Sequence, residues 1–579
     1  MRMLLFVFVS FFITPFALSQ EAPSSPATTP DSPAETSSQP PANPDSASKD
    51  SDSQTQAPAP GSDGQPASDP TRPTAGEAAP SATPAEPTPA APADSSSGSL
   101  FDTATSTPSD SGSDSGSGGA SSSSAGSPLE LSGYVRGDLF LSGVELSGDQ
   151  NIPTALGELA LKVKRRFGEH GAVQAEIRGN HGHEKGETRS KFLVREAFVD
   201  AYLGNLDVRF GEQIIVWGRA DGINPTDNLG AQDMSSNVTT DDDRRIPNLA
   251  LRLKFHSSPM TFEGVYVPFY QPTLQPPFDL PSTLLTMGAE DYPKKTLGNG
   301  ALGLKLDVEM GSLDFSVSCV YGYAPIPGLG YKVDGLPAIL GQAYRYFTGS
   351  VSGEQLVQSA ISDASDNWFE VQWRAYRQVV VGADFSTTLF DKYGLRGEVA
   401  LRIPDRVKDG DEHVPQRDLY FVLGMDRIFS ENFVVIAEYI GRKVLGWETI
   451  PESALTQIMD GETPSASQLA DLLVDFQEKV DAEFKRQNRT VFMQQQAYTH
   501  SALARVEVKA LQQALTLEVA GMYNFTTKEW TTRPSLSYLI TDGLVAKLGA
   551  ELYHGPKNTL FDRLDNSLSV VYIEMKAFF

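Results

Sequence analysis

Between Trp217 and Arg245 the chain gathers residue types that pair charges and steer ions: Trp217, Arg219, Asp221, Asn224 and Asp227, then Asp241, Asp242 and Asp243 followed directly by Arg244 and Arg245. An arginine among aspartates offers charge-assisted hydrogen bonds, so Arg219 is expected to pin its own loop through Asp221 or Asp227. Three acids abutting two arginines would, in a narrow water-filled passage, face each other and set up a transverse field that sorts ions. On an open loop the same residues are solvated charges. This chemistry is electrostatic rather than catalytic. The chain holds no Gly-x-Ser-x-Gly elbow, no His-Glu-x-x-His and no phosphate-cradling glycine loop, so neither enzymatic activity nor a cofactor is expected. His181, His183 and Glu184 read as a short solvated loop, since a metal site needs a closed and oriented ligand shell. The single cysteine, Cys319, leaves no disulfide framework and no cysteine-type metal centre.

Such a loop acts only through the elements that hold it, and these announce themselves at Leu129. Leu129, Leu131, Val135, Leu139 and Leu141 fall on one face, and Glu130, Ser132, Arg136 and Asp138 on the other. A period of two with unlike faces is a strand between two different solvents. About eighteen such segments of roughly 9 to 14 residues follow, the length of a tilted strand crossing a hydrocarbon core. Every second connection is tight, as at 167–171, 204–205, 311–312, 391–394, 430–431 and 542–543, and most of the others are long. The fold class expected is therefore an all-β, transmembrane antiparallel barrel of about eighteen strands over 129–579, with sixteen as the alternative. Short turns then lie on the periplasmic rim, and an even strand number puts both ends of the barrel there. Lys162, Lys164, Glu176, Arg178, Arg209, Arg252 and Lys254 are expected on its inner face.

Upstream, Met1 to Ser19 has one basic residue, an apolar run to Phe16 and a small-x-small end, the pattern of a cleaved secretory signal with the mature chain starting at Gln20. Residues 20–128 are dominated by Pro, Ala, Ser, Thr, Gly and Asp, with one aromatic, Phe101, and too little apolar surface to fold. As extended polyproline such a tail would reach on the order of 330 Å, enough for a periplasmic tether to peptidoglycan or another periplasmic partner. Of the net charge of −26, this tail carries −12 and residues 129–579 carry −15, with Arg2 supplying the balance. Acidic surfaces without basic clusters do not neutralise phosphates, so nucleic acid is excluded as a partner. The membrane lipid is the partner that the strand faces demand.

The segment from Gly211 to Asp227 carries a strand-end Gly-Glu-Gln, then Trp217-Gly218, then Asp221 and Asn224-Pro225-Thr226-Asp227. In these residues the chain resembles an uncharacterised family of porin-like bacterial outer-membrane barrels. The resemblance implies outer-membrane location and porin-like architecture, with no substrate attached. The last strand ends on Phe579, with Val571, Ile573, Met575 and Ala577 on the same face, and so resembles barrels whose terminal aromatic is read by the barrel assembly machinery. Trp217 itself suits an interfacial aromatic girdle. Within 452–487, Leu469, Leu472, Leu473, Phe476, Val480 and Phe484 recur at helical spacing, and a weaker helical stretch lies within 336–362. Such helices either cap the barrel mouth by packing on each other or line an apolar vestibule for amphipathic solutes. The function these features favour is a channel for passive passage of small solutes. A conduit for amphipathic compounds and a structural tether are the alternatives.

Overall fold

The computed structural model describes residues 129–579 apart from 143–150, 277–284, 334–344, 347–348, 356–357, 359–368, 406–410 and positions 461, 463, 464, 473 and 558. The signal and tail expected over 1–128 lie outside the described residues.

Eighteen strands form one sheet. In chain order they are β1 (Glu130–Ser142), β2 (Asn151–Arg166), β3 (Gly171–Glu184), β4 (Glu187–Leu203), β5 (Leu206–Gln213), β6 (Asn248–Ser257), β7 (Met260–Val267), β8 (Ala301–Met310) and β9 (Leu313–Tyr323). The second half is β10 (Arg377–Leu389), β11 (Tyr393–Pro404), β12 (Asp418–Ser430), β13 (Phe433–Val444), β14 (Tyr498–Ala510), β15 (Leu515–Asn524), β16 (Trp530–Thr541), β17 (Leu544–His554) and β18 (Val570–Phe578). Each pairs antiparallel with the next, and β18 pairs with β1 from Tyr134 opposite Phe578 to Ser142 opposite Val570. The sheet is closed and has no edge, the condition for spanning a bilayer with strands.

The faces follow the alternation read from the sequence. Leu131, Val135, Leu159, Val199, Phe210, Leu304, Val381, Met425, Leu548 and Ile573 are exposed on the outside, while Arg136, Glu158, Asp200, Glu263, Asp384, Glu398, Glu438 and Glu574 are buried inside. This is the inverse of a soluble protein, and only lipid covers such an exterior without cost. The same charges on the outer face would cost about 2–4 kcal/mol each at mid-membrane. One strand reaches further than its sequence pattern suggested. His181, His183 and Glu184 are not in a loop but in β3, where His181 pairs with Ser190 of β4 across a tight turn at Lys185 and Gly186.

The seam carries Phe579. Its backbone exchanges hydrogen bonds of 2.9 and 3.0 Å with Gly133, and its ring lies where a side chain on residue 133 would be, 2.7 Å from the Cβ of any replacement. Deleting Phe579 is therefore expected to lower the membrane yield of folded barrel more than deleting an outer-rim loop of equal apolar content. Gly133→Val should also lower the yield, because its side chain would meet the Ala160 carbonyl of β2 at 2.3 Å as well as the ring. Equal yields of the Phe579 and loop deletions, judged by heat-modifiable gel mobility, would show that the seam does not depend on the terminal ring.

At the rim of long loops sits a cap. Short strands at 285–287, 328–333 and 369–374 make a three-stranded sheet. Against it lie helices α1 (Ala454–Met459), α2 (Ala466–Leu472) and α3 (Phe476–Val491). Leu472, Val480, Phe484 and Val491 are buried there with Leu329, Phe369, Val371 and Trp373. The apolar stripe of α3 therefore belongs to the core of the cap rather than to the lining of a vestibule. The side chains of Leu469 and Leu473 lie outside the described residues, as does most of 336–362. A fourth helix, α4 (Leu560–Leu568), turns its Leu560, Phe561, Leu564 and Leu568 onto Tyr420, Val422, Ile436 and Leu503 of the inner wall.

Candidate functional site

β5 stops at Gln213 and the next 34 residues, 214–247, do not continue along the wall. They cross the lumen. Ile215, Trp217 and Leu229 pack on an apolar patch of inner wall made by Ala250, Val265, Val267, Val320, Val380 and Ala400. The Trp217 ring fits because residue 303 is glycine, whose added Cβ would lie 2.7 Å from it. Burying such side chains contributes about 2–3 kcal/mol each. Trp217 is thus not in a membrane-facing girdle. It is 2% exposed inside the barrel, and its Nε1 donates to Glu263 at 3.0 Å. A lone indole donor inside needs an acceptor, and the wall supplies one.

Past Trp217 the chain is clamped by two wall glutamates. Glu398 of β11 accepts from the backbone N–H groups of Arg219 and Ala220 and from the Thr226 hydroxyl at 3.1 Å. Glu438 of β13 accepts from the N–H groups of Asp221 at 2.8 Å and Gly222 at 3.3 Å. Consecutive backbone donors make a small anion nest, and here the barrel's own carboxylates fill it. Gly218 permits the approach: its φ of +115° suits glycine, and a Cβ there would meet Glu398 Oε1 at 2.5 Å.

Arg219 does not pair with Asp221 or Asp227. It reaches Asp384 at 2.7 Å and Asp307 at 3.3 Å on the wall. Asp221 pairs with Arg396, and Asp227 with Arg245 at 3.1 Å. The wall acids take Arg219 because Asp221 and Asp227 are already held by arginines of their own. The Asn224 side chain packs beside Gly218, and an N–H of Asp227 donates to the Asn224 carbonyl at 3.0 Å, closing the Asn-Pro turn.

The acid run takes a different form from acids and arginines facing each other over a gap. Residues Asp241–Arg244 are a 3₁₀ turn, in which each residue is rotated by about a third of a turn from the last. Consecutive acids therefore diverge to different walls. Asp241 meets Arg533 of β16 at 2.7 Å. Asp242 meets Arg195 of β4 at 3.1 Å. Asp243 meets Arg136 of β1 and Arg178 of β3, each at 2.5 Å. One turn on, Arg244 stacks back over Asp241 at 3.3 Å and binds Glu551 of β17 at 3.1 Å. Lys547 of β17 donates to the Thr239 carbonyl at 2.9 Å, and the Thr239 hydroxyl donates to Glu574 of β18. Burial alone would raise the Asp243 carboxyl, but Arg136 and Arg178 outweigh it and hold it well below the usual carboxylate range. Asp227 goes the other way, because burial outweighs its one arginine.

The wall candidates divide. Arg178 joins the loop directly and also holds Glu176 at 2.8 Å. Arg252 binds Glu263 at 2.8 Å, the acid that Trp217 also uses. Lys254 lies 3.9 Å from Glu263, Arg209 pairs with Asp200 at 2.7 Å, and Lys164 lies 4.0 Å from Glu130. These three and Lys162 sit on the inner face nearer the short-turn rim and are not brought to the loop. Arg136, Arg195, Glu263, Asp384, Glu398, Glu438, Arg533 and Glu551 were not singled out from the sequence. Their inward phase on the strands was readable, but not their partner.

Residues 160–414 match the model of a family described as "Protein of unknown function (DUF1302)". That span runs from β2 past the lumenal loop to the connection before β12. No curated protein matches the sequence. Solved structures with low overall similarity include OccK1 (OpdK) of Pseudomonas aeruginosa, 9% identical over 78% of this chain and 98% of that one, with a TM-score of 0.42. The outer membrane channel DcaP of Acinetobacter baumannii is 10% identical over 79% and 99%, with a TM-score of 0.35. OmpF of Salmonella typhi in complex with daunomycin is 11% identical over 78% and 97%, with a TM-score of 0.36.

Proposed function

We propose that this protein is a porin-like channel of the bacterial outer membrane through which small solutes pass passively, with the 214–247 loop as its constriction. The observation that carries the reading is the loop itself: a closed barrel with an apolar exterior and an ionised inner wall holds a folded segment across its lumen by ion pairs on several sides. A barrel of this strand number encloses an aqueous channel unless something fills it. A charged partition narrows such a channel and sorts solutes by size and charge. In the orientation that goes with short periplasmic turns, the cap and long loops face outward and both ends of the barrel face the periplasm.

Reconstitution in a planar bilayer tests this directly. Purified, heat-modifiable protein is expected to give discrete, ohmic conductance steps, smaller than those of a barrel of the same strand number with an open lumen. A correctly folded protein that inserts without any steps would sink the channel reading and leave a structural role.

A further inference from the structure

Above the loop, where it faces the cap, a cavity of about 60 Å³ opens between Gln232 on the loop side and Tyr376, Gln378, Arg402 and Phe492 on the cap and wall side. By the room a buried water needs, that space holds about four to six non-hydrogen atoms. Its polar groups are of a particular kind. Tyr376, Gln378 and Gln232 line it, and among the described residues the Tyr376 hydroxyl and the two carboxamides make no side-chain hydrogen bond, although Tyr376 and Gln378 are 7% and 6% exposed. Polar groups so deeply placed are ordinarily satisfied, so these are available to whatever enters. Each can both donate and accept.

The ions on the lining are already matched. Arg402 is held by Asp418 through two hydrogen bonds of 2.8 and 2.6 Å, and Asp227 is held by Arg245. Pro325, Ile326, Pro404 and Phe492 give it apolar walls, and Asn228, Thr273, Gln416 and Gln494 add further polar ones. A second cavity of about 90 Å³, bordered by Asp411, Glu412, Glu448, Lys485 and Arg489, adjoins it through a shared partition. Gln494 forms that partition with Gln416: it accepts from the Gln416 N–H at 2.9 Å and donates to the Gln416 carbonyl at 2.9 Å. The inner chamber thus offers uncharged donors and acceptors beside ions already matched within the protein, next to an outer one bordered by further charges of both signs.

We propose that the inner cavity is a binding subsite for small uncharged solutes that carry several hydroxyl or amide groups, of the size of glycerol. The subsite rests on the channel reading for its place in a transport path, but binding is measurable without transport. In detergent-solubilised full-length protein, the saturation-transfer NMR signal of glycerol is expected to saturate. In Tyr376→Phe/Gln378→Met, which keeps shape and removes the donors and acceptors, the half-saturating concentration should rise about fivefold for each hydrogen bond lost. Tyr376→Phe alone, which preserves the ring, carries the test if the double variant does not assemble. Unchanged half-saturation in the variants, or no saturable signal from the wild type, overturns the subsite. Saturable, Tyr376-dependent binding in a protein that gives no bilayer conductance would support the subsite and refute the channel reading, so the two failures are distinguishable.

Discussion

Replacing residues 219–243 by a short Gly-Ser link is expected to raise the unit conductance severalfold and to admit solutes that the native protein excludes. The strands need not unfold when the loop is removed, because each is bonded to both neighbours around the closed sheet. Wall charges now paired with the loop would be solvated by the water replacing it, as in an open 16- to 18-stranded porin lumen. The loop's own anchors predict that nothing less than removal opens the passage fully. Trp217 is seated in the wall, Glu398 and Glu438 grip the backbone, and Asp241, Asp242 and Asp243 are tied to separate strands. Single-channel recording on the deletion variant, with heat-modifiable mobility as the folding control, checks this. An unchanged conductance would mean that the narrowest point lies elsewhere, in the cap.

The second large effect concerns charge. Asp241→Asn, Asp242→Asn and Asp243→Asn together should move the reversal potential in a salt gradient toward anions. The structure strengthens the expected size of this shift, because the acids neutralise Arg533, Arg195, Arg136 and Arg178 of the wall. Two unit charges about 4 Å apart interact by about 1 kcal/mol even in bulk water, which corresponds to about fivefold in a permeability ratio, and by more where screening is poor. Asp243→Asn alone should produce the largest single share of the change, since Asp243 serves two arginines. Replacing Arg244 and Arg245 by Gln should shift selectivity the other way, leaving Glu551 and Asp227 without those partners. Asp242 is the most exposed of the three acids, at 46% of its side chain against 21% for Asp241 and 10% for Asp243. Unchanged selectivity in both variants, with folded barrels, would place the selective charges on the strand faces instead.

What could be read from residue order alone was whatever repeats locally. The eighteen strands, the face each turns to lipid, the alternation of tight and long connections and the amphipathic stripe of α3 all follow from periods of 2 and 3.6 that a short window contains. The inward phase of Lys162, Arg178 and Arg252 came with the strands at no extra information. His181 to Glu184 escaped this reading because their strand character comes from pairing with Ser190 and its neighbours rather than from alternation.

The lumenal loop has no period, and its meaning lies in distant partners. Arg219 finds Asp384 at a separation of 165 residues, and Thr239 finds Glu574 at 335. Nearby acids are the natural expectation for Arg219, but barrel closure brings Asp307 and Asp384 of the wall to its guanidinium. Trp217 was misplaced for the same reason: interfacial preference holds for a residue on a lipid-facing strand, and β5 had already ended at Gln213. Barrel closure alone brings β1, β3, β4, β16 and β17 to bear on one 3₁₀ turn, and the rotation per residue of that turn decides which wall each aspartate meets.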